Sequence, residues 1–482
     1  MNFFELLSRS KLALTKESEF NLNYFLSGNK IKQVMDEDRR RPKPILKGFF
    51  FQSLLFFFRL LRNLSFFEKR LSHKPIYVVL GSFNQFNSVK STLESLDANG
   101  DEFFITASKN VIPKNLFFKD TISLKYNFKI IFCSLILFFS RAIPLYFKLK
   151  REKRDYEIAM HFNLFCEAYI LVPYFIDILE KTKPKIIIVS NDHHVFLRSV
   201  RISAEINDIK TLYVQHAQVS KFFPPLEFDY ALLDGNVAYE TYLNAYQIQK
   251  KTNTRIKKNS SNCQVLLTGQ KKIVIKKNKK KKLEGLHIGL AVNPFDDFYD
   301  VNKILDHFSN MKVNCIVRTH QSQPLFFIRK LKAYIEDKNW LRWSNSSEEL
   351  VEDYFMNVNL LIASNSSIHL EAALAGVPTL YYEMSSEVLF SDYYGYVEKG
   401  ISKRLQNDFS FENINNIIKI QSCDLKRQHA IKNYSETYGT KWQNLEGDLS
   451  ALVINRILNN RSLDDLFKIQ KSKIYNSVNF LR

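Results

Sequence analysis

From Ile76 onward the chain repeats one pattern: a short apolar run, an abrupt polar or glycine-containing stop, then a helical stretch. Ile76–Leu80, Glu102–Thr106, Lys185–Val189, Thr211–Val214, Phe228–Leu233 and Gln264–Leu267 carry it first. Ile288–Val292, Val313–Val317, Leu341–Trp343, Leu360–Ala363 and Thr379–Tyr382 carry it again. Runs this short and this apolar read as strands buried on both faces, and strands alternating with helices build a parallel sheet covered by helices on both sides. The expected fold class is therefore α/β, with two doubly wound, Rossmann-like domains.

The break between the two series is the stretch 271–282, which holds eight lysines in twelve residues. Like charges repel, so this stretch reads as a solvated linker. The expected organisation is a helical basic segment over 1–74, a first Rossmann-like domain over 75–270 and the linker over 271–282. A second Rossmann-like domain over 283–447 and a helical tail over 448–482 follow. Two such domains are expected to face each other across a cleft. Ligands of open α/β sheets bind beyond the carboxyl ends of the strands, so the polar residues just after each strand are the ones to examine.

Charge narrows the partners. Lys and Arg number 69 against 49 Asp and Glu, a net +20, which favours an anionic partner such as a phosphorylated substrate, an acidic membrane surface or nucleic acid. Phenylalanine is abundant, with 41 residues, many in Phe49–Phe51, Phe56–Phe58 and Ile130–Phe139. Both aromatic stretches are bordered by Lys and Arg, a composition suited to helices lying in an anionic membrane interface. Buried core helices with charged exits satisfy the same pattern. The five cysteines are scattered, with no Cys-x-x-Cys pair, which fits a reducing cytosol and suggests neither a zinc site nor a disulfide framework. The N-terminus lacks the basic, apolar and small-residue regions of a signal peptide. The expected location is cytoplasmic, peripheral on the inner face of the cytoplasmic membrane.

The strongest local signal is Ala363-Ser364-Asn365-Ser366-Ser367-Ile368-His369-Leu370-Glu371, followed by small residues, Gly376 and Pro378. A buried strand turns through four small polar residues directly into a helix. Unpaired backbone N–H groups, the positive end of the helix dipole and the serine hydroxyls together suit a phosphate. Glu371 lies one turn inside the helix and can accept hydrogen bonds from a ribose diol. The competing reading is that the serines merely cap the helix. No Gly-x-Gly-x-x-Gly, Walker A or Gly-x-Ser-x-Gly sequence is present, so the main dinucleotide, ATP and serine-hydrolase fingerprints are missing.

This stretch resembles the second-domain signature of GT-B glycosyltransferases. Its Ser-Ser form is similar to that of bacterial capsule and lipopolysaccharide transferases of the polysialyltransferase type, which use CMP-activated sugars. The resemblance implies that Asn365, Ser366, Ser367 and Glu371 bind the donor nucleotide. It also implies a phosphate-binding His after an earlier strand, which His320 matches in Arg318-Thr319-His320, with the family's following Pro displaced to Pro324. Arg318 can add charge toward the phosphate. The family's acidic base motif has its nearest match in Asp234-Gly235, which lacks the first acid. Asp192, flanked by His193 and His194, and His216, in a Gln-His turn similar to that of teichoic-acid glycerophosphotransferases, compete for that role. Asp192, His216 and Asp234 are the catalytic candidates. No metal and no cofactor are expected; Asp296-Asp297 is not the Asp-x-Asp of metal-dependent GT-A enzymes.

The expected function is an inverting, metal-independent glycosyltransferase of bacterial surface-polysaccharide synthesis. Its donor would be a nucleotide sugar, for which the resemblance points to CMP-linked sialic acid or Kdo, and its acceptor a glycan or glycolipid. The alternatives are a CDP-polyol phosphotransferase of the teichoic-acid type and a non-hydrolysing nucleotide-sugar epimerase. A nucleic-acid-binding role lacks any accompanying motif, and no nucleic-acid partner is expected.

Overall fold

The computed structural model describes residues 1–24, 47–65, 72–107, 111, 121–250, 262–271, 285–311, 313–384, 391–405, 410–472 and 474–482. In chain order the strands are β1 (Ile76–Leu80), β2 (Phe103–Ala107), β3 (Thr121–Ile122), β4 (Ile186–Val189), β5 (Lys210–Val214), β6 (Tyr230–Leu233) and β7 (Gln264–Leu267). There follow β8 (His287–Val292), β9 (Asn314–Thr319), β10 (Leu341–Asn345), β11 (Leu360–Ala363), β12 (Thr379–Tyr381), β13 (Lys403–Arg404), β14 (Phe467–Lys471) and β15 (Ser477–Leu481). The chain forms two compact units. The first contains Met1–Leu233, Tyr239–Thr268 and Gly447–Arg482; the second contains Asp234–Ala238 and Gly269–Glu446.

The sheet of the first unit runs in the order β14-β15-β7-β6-β5-β4-β1-β2-β3. Its neighbours pair in parallel except for β14, which pairs antiparallel with β15 at the edge. Strands β2 and β3 continue from β1 on one side and β4 to β7 on the other, so the order reverses between β1 and β4. All five residues of β1 and all four of β4 are buried, as expected of strands covered on both faces.

The N-terminal residues, expected as a helical extension, are helical and pack within this first unit. Asn2 caps the helix Phe3–Lys16 by accepting from Glu5 N, and Leu6, Ala13 and Leu14 are buried. Glu17, just past that helix, is fully buried and paired with Arg198 and Arg201 of the helix Val195–Ile206. Two buried guanidiniums share one buried carboxylate, so the N-terminal helix is tied to the centre of the unit.

The tail beyond Gly447 differs from the expected all-helical segment. The helix Glu446–Leu458 forms, but Phe467–Lys471 and Ser477–Leu481 are a β-hairpin that extends the sheet. In β14 only Phe467 is buried, and Lys468 and Lys471 lie on the exposed edge. Edge lysines of this kind oppose further strand pairing, and they also mask the apolar alternation by which a strand is recognised.

The six-stranded sheet of the second unit is parallel throughout, in the order β10-β9-β8-β11-β12-β13. Ile288, Leu290, Val292, Leu360 and Ile362 pack on one face with Val301, Leu305 and Phe327. Ala291, Leu361 and Ala363 pack on the other with Tyr354, Phe355 and Ala372. Alternate residues of one strand thus serve two helical layers, which makes the sheet doubly wound. Strands β9 and β10 extend from β8 on one side and β11 to β13 on the other, so here the order reverses between β8 and β11. The helix Val351–Met356 has Leu350 at its N-cap position. Residues 346–349 form a turn on Asn345, whose Oδ1 accepts from Ser347 N and whose carbonyl accepts from Glu348 N and Glu349 N.

Of the lysine-rich linker, 272–282 lie outside the described residues. Lys271 departs from the expectation of a solvated chain. It is buried, and its Nζ donates to the Gly269 carbonyl at 3.0 Å.

Candidate functional site

In the second unit the order reversal between β8 and β11 selects the ends of those two strands. Open α/β sheets bind their ligands beyond the strand ends at such a reversal. Strand β8 ends in Asn293-Pro294-Phe295-Asp296, and β11 ends in Ser364-Asn365-Ser366-Ser367. The two loops are bonded to each other. Ser364 Oγ donates to Asp296 Oδ1 at 2.6 Å and accepts from Asn293 Nδ2 at 2.7 Å. Asp296 Oδ2 accepts from Asn293 N at 2.7 Å. Burial pushes the Asp296 carboxyl up to about 7, against the opposing effect of the bonds from Ser364 and Asn293.

His369 fixes the turn from below. It is fully buried, with Nε2 3.0 Å from the Ser364 carbonyl and 3.2 Å from that of Ala363, so Nε2 carries the proton. Its Nδ1 accepts from Ser402 Oγ at 3.0 Å. Burial pushes this imidazole down to about 4, and it is neutral.

Above that base the serines are loosely held. Ser366 Oγ accepts from Ile368 N and Ser367 Oγ donates to Glu371 Oε1, both at 3.4 Å, the long end of hydrogen bonding. Ser367 occupies the N-cap position of the helix Ile368–Leu374 in αR geometry and makes no side-chain cap. Among the described residues, the backbone N–H groups of Ser366 and Ser367 have no hydrogen-bond partner. Asn365 is structural in part, since its Oδ1 accepts from Tyr393 N at 2.8 Å.

His320 follows β9 and is anchored by its backbone N–H, which donates to Val292 O at 3.0 Å. Its Nδ1 accepts from Ser322 N at 3.1 Å, which leaves the proton on Nε2. Arg318 is buried one residue inside the strand end. Its guanidinium donates to Ser344 Oγ and to the Glu349 carbonyl and stacks over the Tyr354 ring. The positive charge is therefore held in the sheet by three contacts.

Known proteins add the fold comparison only. No protein-family model matches the chain, and no curated protein matches its sequence. Solved structures do align with it. A protein described as a UDP-N-acetylglucosamine 2-epimerase of Listeria monocytogenes aligns at 11% identity with TM-score 0.48, over 82% of this chain and 98% of its own. A UDP-N-acetylglucosamine 2-epimerase of Rickettsia bellii aligns at 12% identity with TM-score 0.46, over 83% and 98%. A glycosyltransferase of Rickettsia africae aligns at 13% identity with TM-score 0.44, over 82% and 100%.

The first unit has its own polar cluster at its order reversal, after β4. Asp192 is buried and both its oxygens are engaged: Oδ1 lies 2.8 Å from His193 Nδ1, and Oδ2 accepts from the Tyr242 hydroxyl at 2.6 Å. Asn191 assigns the imidazole protons. Its Oδ1 accepts from His193 N and His194 N, which turns its amide Nδ2 toward His193 Nε2 at 3.0 Å. Nε2 is then the acceptor, and Nδ1 donates to Asp192. The His216 ring, after the neighbouring β5, lies 6.2 Å from the His193 ring between centroids, and Phe223 lies 4.8 Å away. The structure thus brings Asp192 and His216 together around His193. Among the described residues no group of three or more His, Cys, Asp or Glu side chains is placed to hold a metal ion.

Asp234 is engaged elsewhere. Its carbonyl accepts from Gly269 N and Glu436 N, and its charge, with that of Glu446, acts on the buried Lys271. Gly235 is needed for packing, because a Cβ there would stand 2.5 Å from the Asn433 carbonyl oxygen. The Asp-Gly pair therefore has a structural reason of its own. Sequence reasoning assigned no role to Asn293 or Tyr242, and it named Ser364 only as part of the polar turn and His193 only as a flank of Asp192. Asn293, Ser364 and His193 sit at strand ends and were detectable by position; Tyr242 comes from a helix about fifty residues after Asp192 and carries no local signal.

Proposed function

We propose that the chain is a GT-B-type glycosyltransferase that binds its nucleotide-sugar donor at the β8/β11 strand ends of the second unit. The observation that carries this reading is the coincidence of the order reversal in the six-stranded sheet with the Ser366-Ser367 turn. The strand ends where open α/β sheets bind ligands here also offer two unbonded backbone N–H groups, two loosely held hydroxyls and a helix start. An anion of phosphate type is what such donors recognise. In this reading Glu371 accepts from a ribose diol, and the neutral His320, with its proton on Nε2, donates to a phosphate oxygen.

Transfer of a sugar also requires removal of the acceptor hydroxyl proton. The Asp192–His193 pair of the first unit has the chemistry for it. His193 Nε2 is the lone-pair nitrogen, and Asp192 at Nδ1 stabilises the imidazolium that forms. To act, Nε2 exchanges its contact with Asn191 for the acceptor hydroxyl. Asp192 then orients and His193 takes the proton, with His216 as a neighbour in the same cluster. A CMP-linked acidic sugar and a surface glycan or glycolipid remain the proposed substrates, on the strength of the Ser-Ser resemblance.

The test is release of free nucleotide from a panel of CMP-, UDP- and GDP-sugars in the presence and absence of glycan and glycolipid acceptors. The reading expects nucleotide release that depends on acceptor. Conversion of a UDP-sugar to its epimer with no acceptor would replace it with the epimerase reading. Release of CMP from a CDP-polyol would replace it with the phosphotransferase reading.

A further inference from the structure

Two helices of the first unit expose apolar side chains that its fold does not use. In the helix Phe128–Arg151 the exposed large apolar residues are Phe128, Phe132, Ile136, Phe139, Ile143 and Phe147. Their spacings of four, four, three, four and four place them on one face. The opposite face is core: Ile130, Cys133, Leu137, Ala142, Leu145 and Leu149 are buried. The helix Phe49–Arg62 repeats the arrangement, with Phe50, Leu54, Phe58 and Leu61 exposed and Phe56 and Leu60 buried.

These two stripes are neighbours. Phe56 stacks on Phe138 with ring centroids 4.5 Å apart, and Phe57 lies 5.0 Å from Phe138 and 6.3 Å from Phe139. Two faces separated in sequence by more than sixty residues therefore form one apolar surface. Phe147 is 65% exposed, Phe139 62% and Phe58 60%, so the rings themselves meet solvent.

Charge within these two helices has one sign, while Glu152 and Asp155 follow the helix Phe128–Arg151, Asp155 paired with Lys150. The helix Phe49–Arg62 has two basic residues and the helix Phe128–Arg151 five, and neither has an acid. Arg59 pairs with Glu167 and Arg141 with Glu19, so those cations are matched within the protein. Lys47, Arg62 and Arg151 at the helix ends are exposed.

We propose that these two helices form a docking face for an anionic lipid bilayer, with the rings inserted among the headgroups and the terminal cations on the acidic lipids. An apolar stripe on helices that carry cations and no acid of their own is complementary to that surface in both respects. The helix Phe128–Arg151 is long and apolar enough to cross a membrane. Its inner face rules against that use: besides its core residues, Lys129 pairs with Asp177 at 2.6 Å, and Arg141 with Glu19 at 3.0 Å. Lying in the interface keeps all of these contacts, whereas spanning breaks them. This inference does not rest on the nucleotide site.

The experiment is co-sedimentation of the full chain with vesicles of phosphatidylcholine alone and with about one-third phosphatidylglycerol, at low and high salt. At low salt about tenfold more protein is expected on the anionic vesicles, and high salt is expected to release it. Phe132→Ser with Phe139→Ser, and separately Arg62→Ala with Arg151→Ala, are each expected to lower binding by about tenfold, with unfolding temperatures unchanged because all four side chains point to solvent. Equal binding to both vesicle types, or no binding at low salt, overturns the proposal. So does a stable dimer in ultracentrifugation that dissociates with the paired serine substitutions, since the occupant is then a second copy. Membrane association that only detergent reverses means a spanning helix and overturns it as well.

Discussion

Ser364 donates to Asp296 across 2.6 Å and thereby joins the loop after β8 to the turn after β11, the two strand ends between which the sheet of the second unit reverses. The bond sits directly beneath the serines proposed to hold phosphate. It links the geometry of that turn to a carboxyl group that titrates near neutrality.

Asp296 and His369 give the second unit a pH dependence of opposite signs. Asp296 is raised to about 7 from its ordinary 3.8, so its contribution is full below pH 4 and is lost as pH rises to 7. His369 is lowered to about 4 from 6.5, so its contribution is present above pH 6.5 and is lost as pH falls to 4. Between pH 4 and 6.5 the two slopes oppose each other. Asp296→Asn is expected to unmask the histidine, so that the variant's stability rises with pH across that window more steeply than the parent's. Denaturant titrations at stepped pH measure this. Parallel stability profiles for the two proteins would contradict it.

Asp192→Asn replaces the acceptor for His193 Nδ1–H with an amide. The imidazolium is then no longer stabilised, and turnover is expected to fall by about 10²- to 10⁴-fold with little change in nucleotide affinity. His193→Gln is expected to fall in the same range. Steady-state rates for transfer, set beside calorimetric affinities, separate the two effects. Wild-type turnover in His193→Gln would return the role of base to another residue.

Glu17 is fully buried between the guanidiniums of Arg198 and Arg201. Glu17→Ala leaves Arg198 and Arg201 buried with the partly exposed Glu227 as a shared acidic partner, and Arg201 with the more exposed Glu205 in addition. A loss of about 3–5 kcal/mol in unfolding free energy is expected, as for removal of one partner from a buried ion pair. Chemical denaturation tests it. A change under about 1 kcal/mol would mean that the N-terminal helix is dispensable to the first unit.

Gly269 has φ +77°, and a Cβ added there would stand 2.1 Å from Thr437 Oγ1. Gly269→Ala thus combines backbone strain with a clash against a hydroxyl that itself donates to Glu446 at 2.7 Å. A loss of about 2–4 kcal/mol is expected, and Thr437→Ala introduced alongside is expected to restore part of it. Thermal unfolding of the single and double variants measures both.

Much of the fold was legible because burial on both faces leaves a plain mark. In β1, β4, β7 and β11 every position but Gln264 is apolar, and those strands lie where their apolar runs do. The parts that were not legible lack that mark. Strands β3 and β13 have two residues each, and β14 alternates Phe and Ile with lysines and a glutamine on an exposed edge. At the site, position was legible and partnership was not. The Ser-rich turn announced itself as a strand running into a helix start. That Asp296 braces it, and that Tyr242 shares Asp192 with His193, are contacts across 68 and 50 residues, which no local pattern encodes. Arg318 shows the converse: strand-end position suggested a phosphate ligand, while Ser344, Glu349 and Tyr354 hold its guanidinium.

The most direct measurement is calorimetric titration of the chain with CMP, CDP, UDP and GDP, repeated on Ser366→Ala combined with Ser367→Ala. Two hydroxyls donating to an ionised phosphate contribute about 1.5–3 kcal/mol each, so the double substitution is expected to weaken the preferred nucleotide by about 10²- to 10⁴-fold while leaving the unfolding temperature unchanged. Binding of no nucleotide, or equal affinity in parent and variant, would contradict the assignment of the Ser366-Ser367 turn as the donor phosphate site.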